Sequence, residues 1–290
     1  MSDRRFRFGL VAAPTMSGDE WVGLARRAES LGYDILLVPD VPETGSPFPA
    51  AGIAAGATTA LRVGTFVLVA PVRTPSSIAA ESRTLDRLSN GRFELGLGTG
   101  RPGAEALAAQ LGTEFPPAAE RIARVGAAAE AVRAAAAPGT AGPGAANPGG
   151  VGARTGPRIL VAGAGPRILT LAAQVADTIT IALPPSADEA ALAQAVGSLR
   201  ESAGDRFEQI ELALNLAAVG EKPVPGLERW LGGTPAELAA RGAIGVLTGT
   251  PAEMADRLSR RRDELGISYV AANAAAIDDL APVVERLTGT

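Results

Sequence analysis

Apolar and polar positions follow two kinds of pattern along almost the whole chain. Short apolar runs closed by Gly, Pro, Asn or Asp predict buried strands, and apolar residues that recur every three or four positions predict amphipathic helices. The predicted strands cover 6–12, 34–38, 62–69, 93–97, 158–162, 178–183, 209–218 and 267–272. The predicted helices cover 19–31, 50–60, 75–88, 118–137, 166–175, 188–202, 252–265 and 277–287, with a further helical segment in 223–241.

The order of these elements predicts the fold class. Strands that alternate with helices, without a hairpin signal, are typical of α/β proteins with a parallel sheet. About eight such units favour a closed (β/α)8 TIM barrel, and an open doubly wound sheet is the alternative. Residues 138–157 are mostly Gly, Pro and Ala, which predicts a flexible loop. Because the strand–helix order resumes directly afterwards, we predict a single domain over residues 1–290.

A glycine turn joins the predicted strand 158–162 to the helix that follows it. Gly163, Ala164 and Gly165 leave the backbone N–H groups accessible at a helix N-terminus, where an anion such as a phosphate is favoured. The alternative is an ordinary tight turn. A dinucleotide-binding fold would need a third glycine and an acidic residue after the next strand. Here the third glycine position is Ile168 and the next strand ends in Ala182-Leu183, so that fold is disfavoured.

Composition removes several classes of function. With 47% apolar residues the chain can bury a large core, and its net charge of -4 gives no sign of nucleic-acid or membrane binding. The chain has no cysteine and no histidine, which excludes Ser-His-Asp hydrolysis and thiolate chemistry and removes the commonest zinc ligands. We therefore predict no metal site. No signal peptide or membrane span is evident, so we predict a cytoplasmic protein.

Residues at the C-terminal ends of the predicted strands are the candidate site residues, because TIM barrels carry their active sites there. Asp40 follows the second strand, with Glu43 close behind it. Asp40 is either a proton donor or a partner of a cofactor ring, or else it caps a turn. The glycines at 96, 98 and 100 either let a cofactor approach the backbone or simply turn the chain. Arg101 either pairs with an anion or is solvated.

Nearly the whole chain resembles the luciferase-like monooxygenase superfamily. The strongest segment is 61–100, which includes the Arg73-Thr74-Pro75 sequence and the turn at 89–92. Residues 159–177 resemble that family's cofactor-phosphate loop, and residues 249–270 resemble its C-terminal helix and last strand.

The resemblance implies a TIM barrel that binds FMN or the 5-deazaflavin coenzyme F420. Carried over by position, Gly163, Ala164 and Gly165 would hold the phosphate, and Asp40 would lie near the ring. A cis non-proline peptide bond at the end of the third strand would support the ring. The remaining positions implied for cofactor binding are Phe66 and Val67 at that cis bond, and Gly98, Thr99, Gly100 and Arg101 along the cofactor's tail.

Two positions depart from the family pattern. The family frequently has His after the aspartate of the second strand and before the proline at 75, where this chain has Val41 and Thr74. A histidine acid or base is therefore absent, which disfavours luciferase-like oxygen chemistry and the histidine-dependent dehydrogenase mechanism alike.

We therefore predict an F420-dependent reductase that transfers hydride between the reduced deazaflavin and a small organic substrate with a C=C or C=N bond. The cofactor carries the hydride chemistry, and Asp40, Glu43 or a bound water would supply the proton. An FMN-dependent monooxygenase is the first alternative, and a non-catalytic flavin-binding barrel is the second. The resemblance also implies a homodimer, which we expect to form through the first helices.

Overall fold

Eight parallel strands form a closed barrel in the computed structural model, which describes residues 4–137, 156–222 and 232–290. The barrel strands are β1 (Arg7–Val11), β2 (Ile35–Val38), β3 (Arg62–Thr65) continued by β4 (Leu68–Val69), β5 (Phe93–Gly98), β6 (Arg158–Gly163), β7 (Thr178–Ile181), β8 (Glu211–Leu216) and β11 (Ile267–Asn273). Each strand pairs with its two neighbours in parallel, and the β3–β5 pairing completes the ring. The TIM-barrel prediction is confirmed, and the open sheet is excluded.

Helices surround this barrel and follow its strands. They are α1 (Gly18–Ser30), α2 (Pro47–Ala57), α3 (Pro75–Leu88), α4 (Ala104–Gln110), α5 (Ala118–Ala135), α6 (Pro166–Val175), α7 (Glu189–Ala203), α8 (Pro235–Ala240), α9 (Pro251–Leu265) and α10 (Ile277–Leu287). Capping boxes begin α1 and α9, where Ser17 pairs with Glu20 and Thr250 with Glu253. Across the three described ranges, no helix is both long and apolar enough to cross a membrane.

The core has two layers, because successive strand residues point to opposite sides of the barrel wall. Outward side chains form a large cluster beneath the helices. Inward side chains, including Ile35, Leu37, Leu160 and Tyr269, fill the barrel interior. These large residues sit beside very small ones: a Cβ built at Gly9 would lie 3.0 Å from Ile35 Cγ2 and 3.2 Å from Tyr269 Cε2.

Charged side chains close the end of the barrel at which the strands begin. Glu94 Oε1 accepts hydrogen bonds from Arg7 Nη2 and Arg62 Nε, both at 2.5 Å. Glu211 Oε2 accepts from Arg7 Nη1 at 2.7 Å and from Arg158 Nη2 at 3.1 Å. Both carboxylates are buried, and we call these five residues the basal charge cluster.

The structure differs from the sequence-based elements at several boundaries, and α4 (Ala104–Gln110) was not among the predicted helices. The strand predicted at 62–69 is split into β3 and β4, and the strand predicted at 209–218 ends as β8 at Leu216. α2 begins at Pro47 rather than at residue 50, because proline suits the first helical position, and it ends at Ala57 rather than at residue 60. Two short strands, β9 (Ala218–Val219) and β10 (Val246–Leu247), form a separate parallel sheet of which β10 was not predicted. Most of the predicted loop 138–157 and residues 223–231 of the predicted helical segment lie outside the described residues.

Candidate functional site

A cavity of about 170 Å³ opens at the C-terminal ends of the barrel strands. Phe66 and Val67 line it from the end of β3, and Ala162 lines it from β6. The opposite side comes from β7 and β8, including Thr180 and Asn215. This is the end of a TIM barrel at which ligand sites form.

The peptide bond between Phe66 and Val67 is cis, as the family resemblance implied. The neighbouring strand β5 is shaped around it. A Cβ at Gly96 would overlap the backbone oxygen of Thr65, and a Cβ at Gly98 would overlap Cγ2 of Val67. Thr65 Oγ1 also donates to the Gly96 carbonyl oxygen at 2.8 Å and accepts from the Gly96 N–H at 2.9 Å. Gly96 and Gly98 are therefore required by the irregular β3–β4 segment rather than by a turn.

Asp40 is buried beneath the same irregular segment. Its carboxylate accepts from both terminal nitrogens of Arg73, at 2.5 Å and 2.9 Å, and from the Val69 N–H at 2.9 Å. Its side chain is 0% exposed, and that of Arg73 is 12% exposed. The bidentate pair therefore ties the loop after β2 to the end of β4. Asp40 would have to leave these contacts to donate a proton.

Other predicted site residues are not among the residues that line the cavity. Glu43 is exposed in the loop after β2. Thr99 and Gly100 are partly exposed beyond β5, and Arg101 is exposed. Gly100 has φ +84°, and a Cβ there would lie 2.9 Å from Phe115 Cζ, so both conformation and packing demand glycine at this position.

The glycine turn after β6 contains two glycines with different physical roles. A Cβ at Gly163 would lie 2.5 Å from Ile168 Cγ2, so this glycine lets α6 pack closely against β6. Gly165 is the N-cap residue of α6, has an ordinary φ of −75°, and makes no side-chain cap. A Cβ built at Gly165 has no protein atom within 4 Å. The space beside the free helix N-terminus is thus open, as a phosphate would need.

Thr180 and Asn215 are polar cavity residues that sequence reasoning missed. Thr180 is 2% exposed, and neither its Oγ1 nor the buried Oδ1 of Asn215 has a hydrogen-bond partner. The signal was present in the strand alternation: Thr178 and Thr180 share one face of β7, while Glu211, Ala213 and Asn215 share one face of β8. Once the strands are known to form a barrel, that face points inward.

Residues 244 and 245, which directly precede β10, form one wall of the cavity. Gly245 N donates to the Pro185 carbonyl at 3.0 Å, and Ile244 N donates to the Ala187 carbonyl at 2.8 Å. A Cβ at Gly245 would lie 2.6 Å from Pro185 Cα, so the two backbones are in direct contact. The β9–β10 sheet therefore brings residues 244 and 245 over the loop after β7, beside the cavity.

The closed barrel and the cavity at its C-terminal face define a TIM-barrel protein with a candidate ligand site. The chain belongs to the luciferase-like monooxygenase family, whose model matches residues 5–223.

Solved structures share the fold over nearly their whole length. Coenzyme F420-dependent tetrahydromethanopterin reductase from Methanopyrus kandleri is 17% identical, with a TM-score of 0.69 and coverage of 98% of this chain and 100% of that one. An F420-dependent secondary alcohol dehydrogenase, solved with an F420–acetone adduct, is 17% identical, with a TM-score of 0.72 and coverage of 98% and 99%. EDTA monooxygenase from a Chelativorans species is 14% identical, with a TM-score of 0.71 and coverage of 98% and 94%. At these identities the likeness establishes the fold.

Proposed function

We propose that the protein is an F420-dependent oxidoreductase that reduces a C=C or C=N bond of a small organic substrate. The observation that carries the proposal is the cavity beside the Phe66–Val67 cis bond. No charged side chain lines it among the described residues, so it suits a flat organic ring and an uncharged reactant. Two of the similar structures are F420-dependent enzymes by their descriptions.

The residues present fit this cofactor. The open space at Gly165 and the free N-terminus of α6 suit its phosphate, with Gly163 and Ala164 in the same turn. Phe66 and Val67 would support the ring, while Gly98, Thr99, Gly100 and Arg101 would lie along the tail. When bound, the reduced deazaflavin would supply the hydride. The apolar walls exclude water from the place of transfer.

In this proposal Asp40 has mainly a structural role, because it holds the segment near the cofactor ring in place. Its contacts with Arg73 and the Val69 N–H hold the segment that follows the cis bond. A carboxylate that accepts three hydrogen bonds has no proton to give in that state. Glu43, which is exposed in the loop after β2, or a bound water would therefore supply the proton.

An FMN-dependent monooxygenase is the second candidate. The same cavity would accept a flavin ring, and the similar structures include EDTA monooxygenase. The absence of histidine from the chain weighs against it. The third candidate, a barrel that binds a flavin without catalysis, would bind the cofactor and turn over no substrate.

Cofactor binding is the first test. We expect the full-length protein to bind F420 more tightly than FMN, as measured by fluorescence titration and equilibrium dialysis. Preference for FMN would favour the monooxygenase. Failure to bind either cofactor by a protein with an intact thermal transition would refute the proposed function.

The glycine turn allows a sharper test. We expect Gly165→Val to weaken F420 binding by about tenfold or more, because the new side chain enters the open space at the helix N-terminus. Its effect on the free energy of unfolding should be about 1 kcal/mol or less, since φ at this position suits any residue. Gly197→Ala in α7, where a Cβ also meets nothing within 4 Å, is the control and should leave binding unchanged. Unaltered F420 affinity in Gly165→Val would contradict the phosphate assignment.

We also propose that the protein is a cytoplasmic homodimer that associates through α2 and α3. Ile53 of α2 is 51% exposed and Leu88 of α3 is 71% exposed, and both helices pack against each other. We expect the double variant Ile53→Glu/Leu88→Glu to sediment as a monomer, because two buried charges would oppose association. Leu111→Glu, at another exposed apolar residue, should remain dimeric. A wild-type protein that sediments as a monomer at micromolar concentration would disprove the dimer.

A further inference from the structure

We propose that Thr180 and Asn215 bind the polar group of the substrate, and that this group is an uncharged amide or lactam conjugated to the C=C bond that is reduced. The inference rests on the proposed function and names the substrate class of the same site. It assigns a role to two residues that neither the glycine turn nor the cis bond involves.

The first observation is that both side chains lack hydrogen-bond partners. Thr180 Oγ1 and Asn215 Oδ1 are buried and unpaired, whereas the hydroxyls of Thr65 and Thr178 are paired. Thr178 Oγ1 donates to Glu211 Oε2 at 3.0 Å, and Thr65 Oγ1 donates to the Gly96 carbonyl. A buried polar group without a partner is costly, so a group in the cavity is expected to complete these bonds. The hydroxyls of Ser82, Ser268 and Tyr269 are also buried and unpaired, but none of these residues lines the cavity.

The second observation is where the two residues lie. Thr180 pairs in register with Ala213, and Asn215 is the next inward residue along β8. Strand order places β7 and β8 across the barrel from β3, which Phe66 directly follows. A molecule held by Thr180 and Asn215 therefore lies across the cavity from the peptide bond that we propose supports the cofactor ring.

The third observation is the character of the remaining wall. Ile181, Leu183, Leu214 and Ile244 contribute apolar surface, and no lining residue in the described part of the chain is charged. A carboxylate or phosphate substrate would lose its hydration there without gaining a cationic partner. The cavity thus selects an uncharged molecule with one polar group.

The hydrogen-bonding chemistry of the pair selects that group. The carboxamide of Asn215 offers one acceptor and one donor nitrogen, and a 180° rotation exchanges their places. A cis amide or lactam matches both, because its N–H donates to Oδ1 while its carbonyl accepts from Nδ2. The hydroxyl of Thr180 adds a second donor for the carbonyl oxygen.

These donors also suit the proposed reaction. When bound, the reduced deazaflavin would supply a hydride to the β-carbon, the π electron pair of the C=C bond would shift, and negative charge would develop on the carbonyl oxygen. A proton from Glu43 or a bound water would then add to the α-carbon, so that the substrate gains two electrons and the deazaflavin loses two. Hydrogen bonds from Thr180 and Asn215 to that oxygen would stabilise the developing charge.

The test uses 2-pyridone, a neutral conjugated lactam, and N-methyl-2-pyridone, which lacks the N–H donor. Each is titrated by ligand-observed NMR into full-length protein loaded with the cofactor that binds. We expect wild type to bind 2-pyridone about tenfold more tightly than the N-methyl compound, and to bind benzoate undetectably. Asn215→Leu should lose this preference. Thr180→Val should weaken 2-pyridone binding, Thr180→Ser should restore it, and Ser82→Ala should have no effect.

The outcomes separate the two proposals. Three outcomes would overturn the inference: equal affinity of wild type for both pyridones, no binding of 2-pyridone, or an unchanged preference in Asn215→Leu. If the protein still binds a cofactor, the proposed function is unaffected by these outcomes. Failure to bind both F420 and FMN would overturn the proposed function and this inference with it. Thermal unfolding of each variant identifies any that fail to fold, and the comparison of the two pyridones on wild type is independent of all variants.

Discussion

Replacing Glu94 by glutamine is expected to lower the free energy of unfolding by about 3 kcal/mol. Burial alone would raise the pKa of the Glu94 carboxyl, but the charges of Arg7, Arg62 and Arg158 outweigh that effect and hold the pKa below its usual value. Glutamine retains an acceptor oxygen and removes the charge, so Arg7 would keep its ion pair with Glu211 while Arg62 would lose the ion pair that it makes with Glu94. These arginines are partly exposed, with 18% exposure for the Arg7 side chain. We therefore expect a loss of unfolding free energy near the lower end of the range for breaking a buried ion pair.

Denaturant titration of wild type and Glu94→Gln at several pH values measures how much the charge of Glu94 contributes to the free energy of unfolding, and with which sign. Because the folded-state pKa of Glu94 is depressed, its stabilisation is fully present above the ordinary carboxyl pKa of about 4.3. It is lost as the pH falls through the lower folded-state value. The stability difference between wild type and Glu94→Gln should therefore be constant near neutrality and shrink in acid. Glu81→Gln, at an exposed position of α3, should match wild type throughout. A difference independent of pH would mean that the charge of Glu94 is not what stabilises the barrel.

Replacing Asp40 by asparagine is the second change with a large expected effect, again about 3 kcal/mol. The amide would turn N–H groups toward the Arg73 guanidinium, which would lose its buried partner. The segment after the cis bond would also lose part of its anchor at Val69. We therefore expect weaker F420 binding together with reduced stability.

A double-mutant cycle identifies the origin of that loss. Arg73→Met alone should be destabilising, and the double variant Asp40→Asn/Arg73→Met should lose clearly less than the sum of the two single changes. Glu43→Gln, the other predicted acid, should leave stability within about 0.5 kcal/mol of wild type because this side chain is exposed. Additive losses at positions 40 and 73 would show that the ion pair contributes no coupling.

The barrel was predictable from sequence because its physical signal is periodic. Short buried strands such as β6, and helices bounded by caps such as α9, repeat often enough that an error at one boundary leaves the order intact. Family resemblance supplied what periodicity could not, namely the location of the cis bond between Phe66 and Val67, which the structure confirms. A cis bond has no hydrophobic period, so residues 62–69 looked like one uninterrupted strand.

The site was less predictable because its residues are defined by long-range packing. Position 98 needs glycine because the Val67 side chain, in the irregular segment between β3 and β4, occupies the space that a Cβ would fill. Nothing near Gly98 in the sequence reveals this contact. Asp40 looked like a free acid because its partner Arg73 lies thirty-three positions away. Thr180 and Asn215 look like ordinary strand residues until the barrel closes and leaves their polar atoms unpaired.

The wall formed by residues 244 and 245 is separate from the basal charge cluster that stabilises the barrel. It directly precedes β10 and meets the loop after β7 through backbone hydrogen bonds to Pro185 and Ala187. The basal charge cluster lies at the far end of the barrel and shares no residue with it. Ile244 lines the cavity and is 1% exposed within the large apolar cluster, so exchanges for other apolar side chains would reshape the cavity at the least risk to folding, provided that Gly245 is kept. A laboratory library aimed at new substrates would begin there.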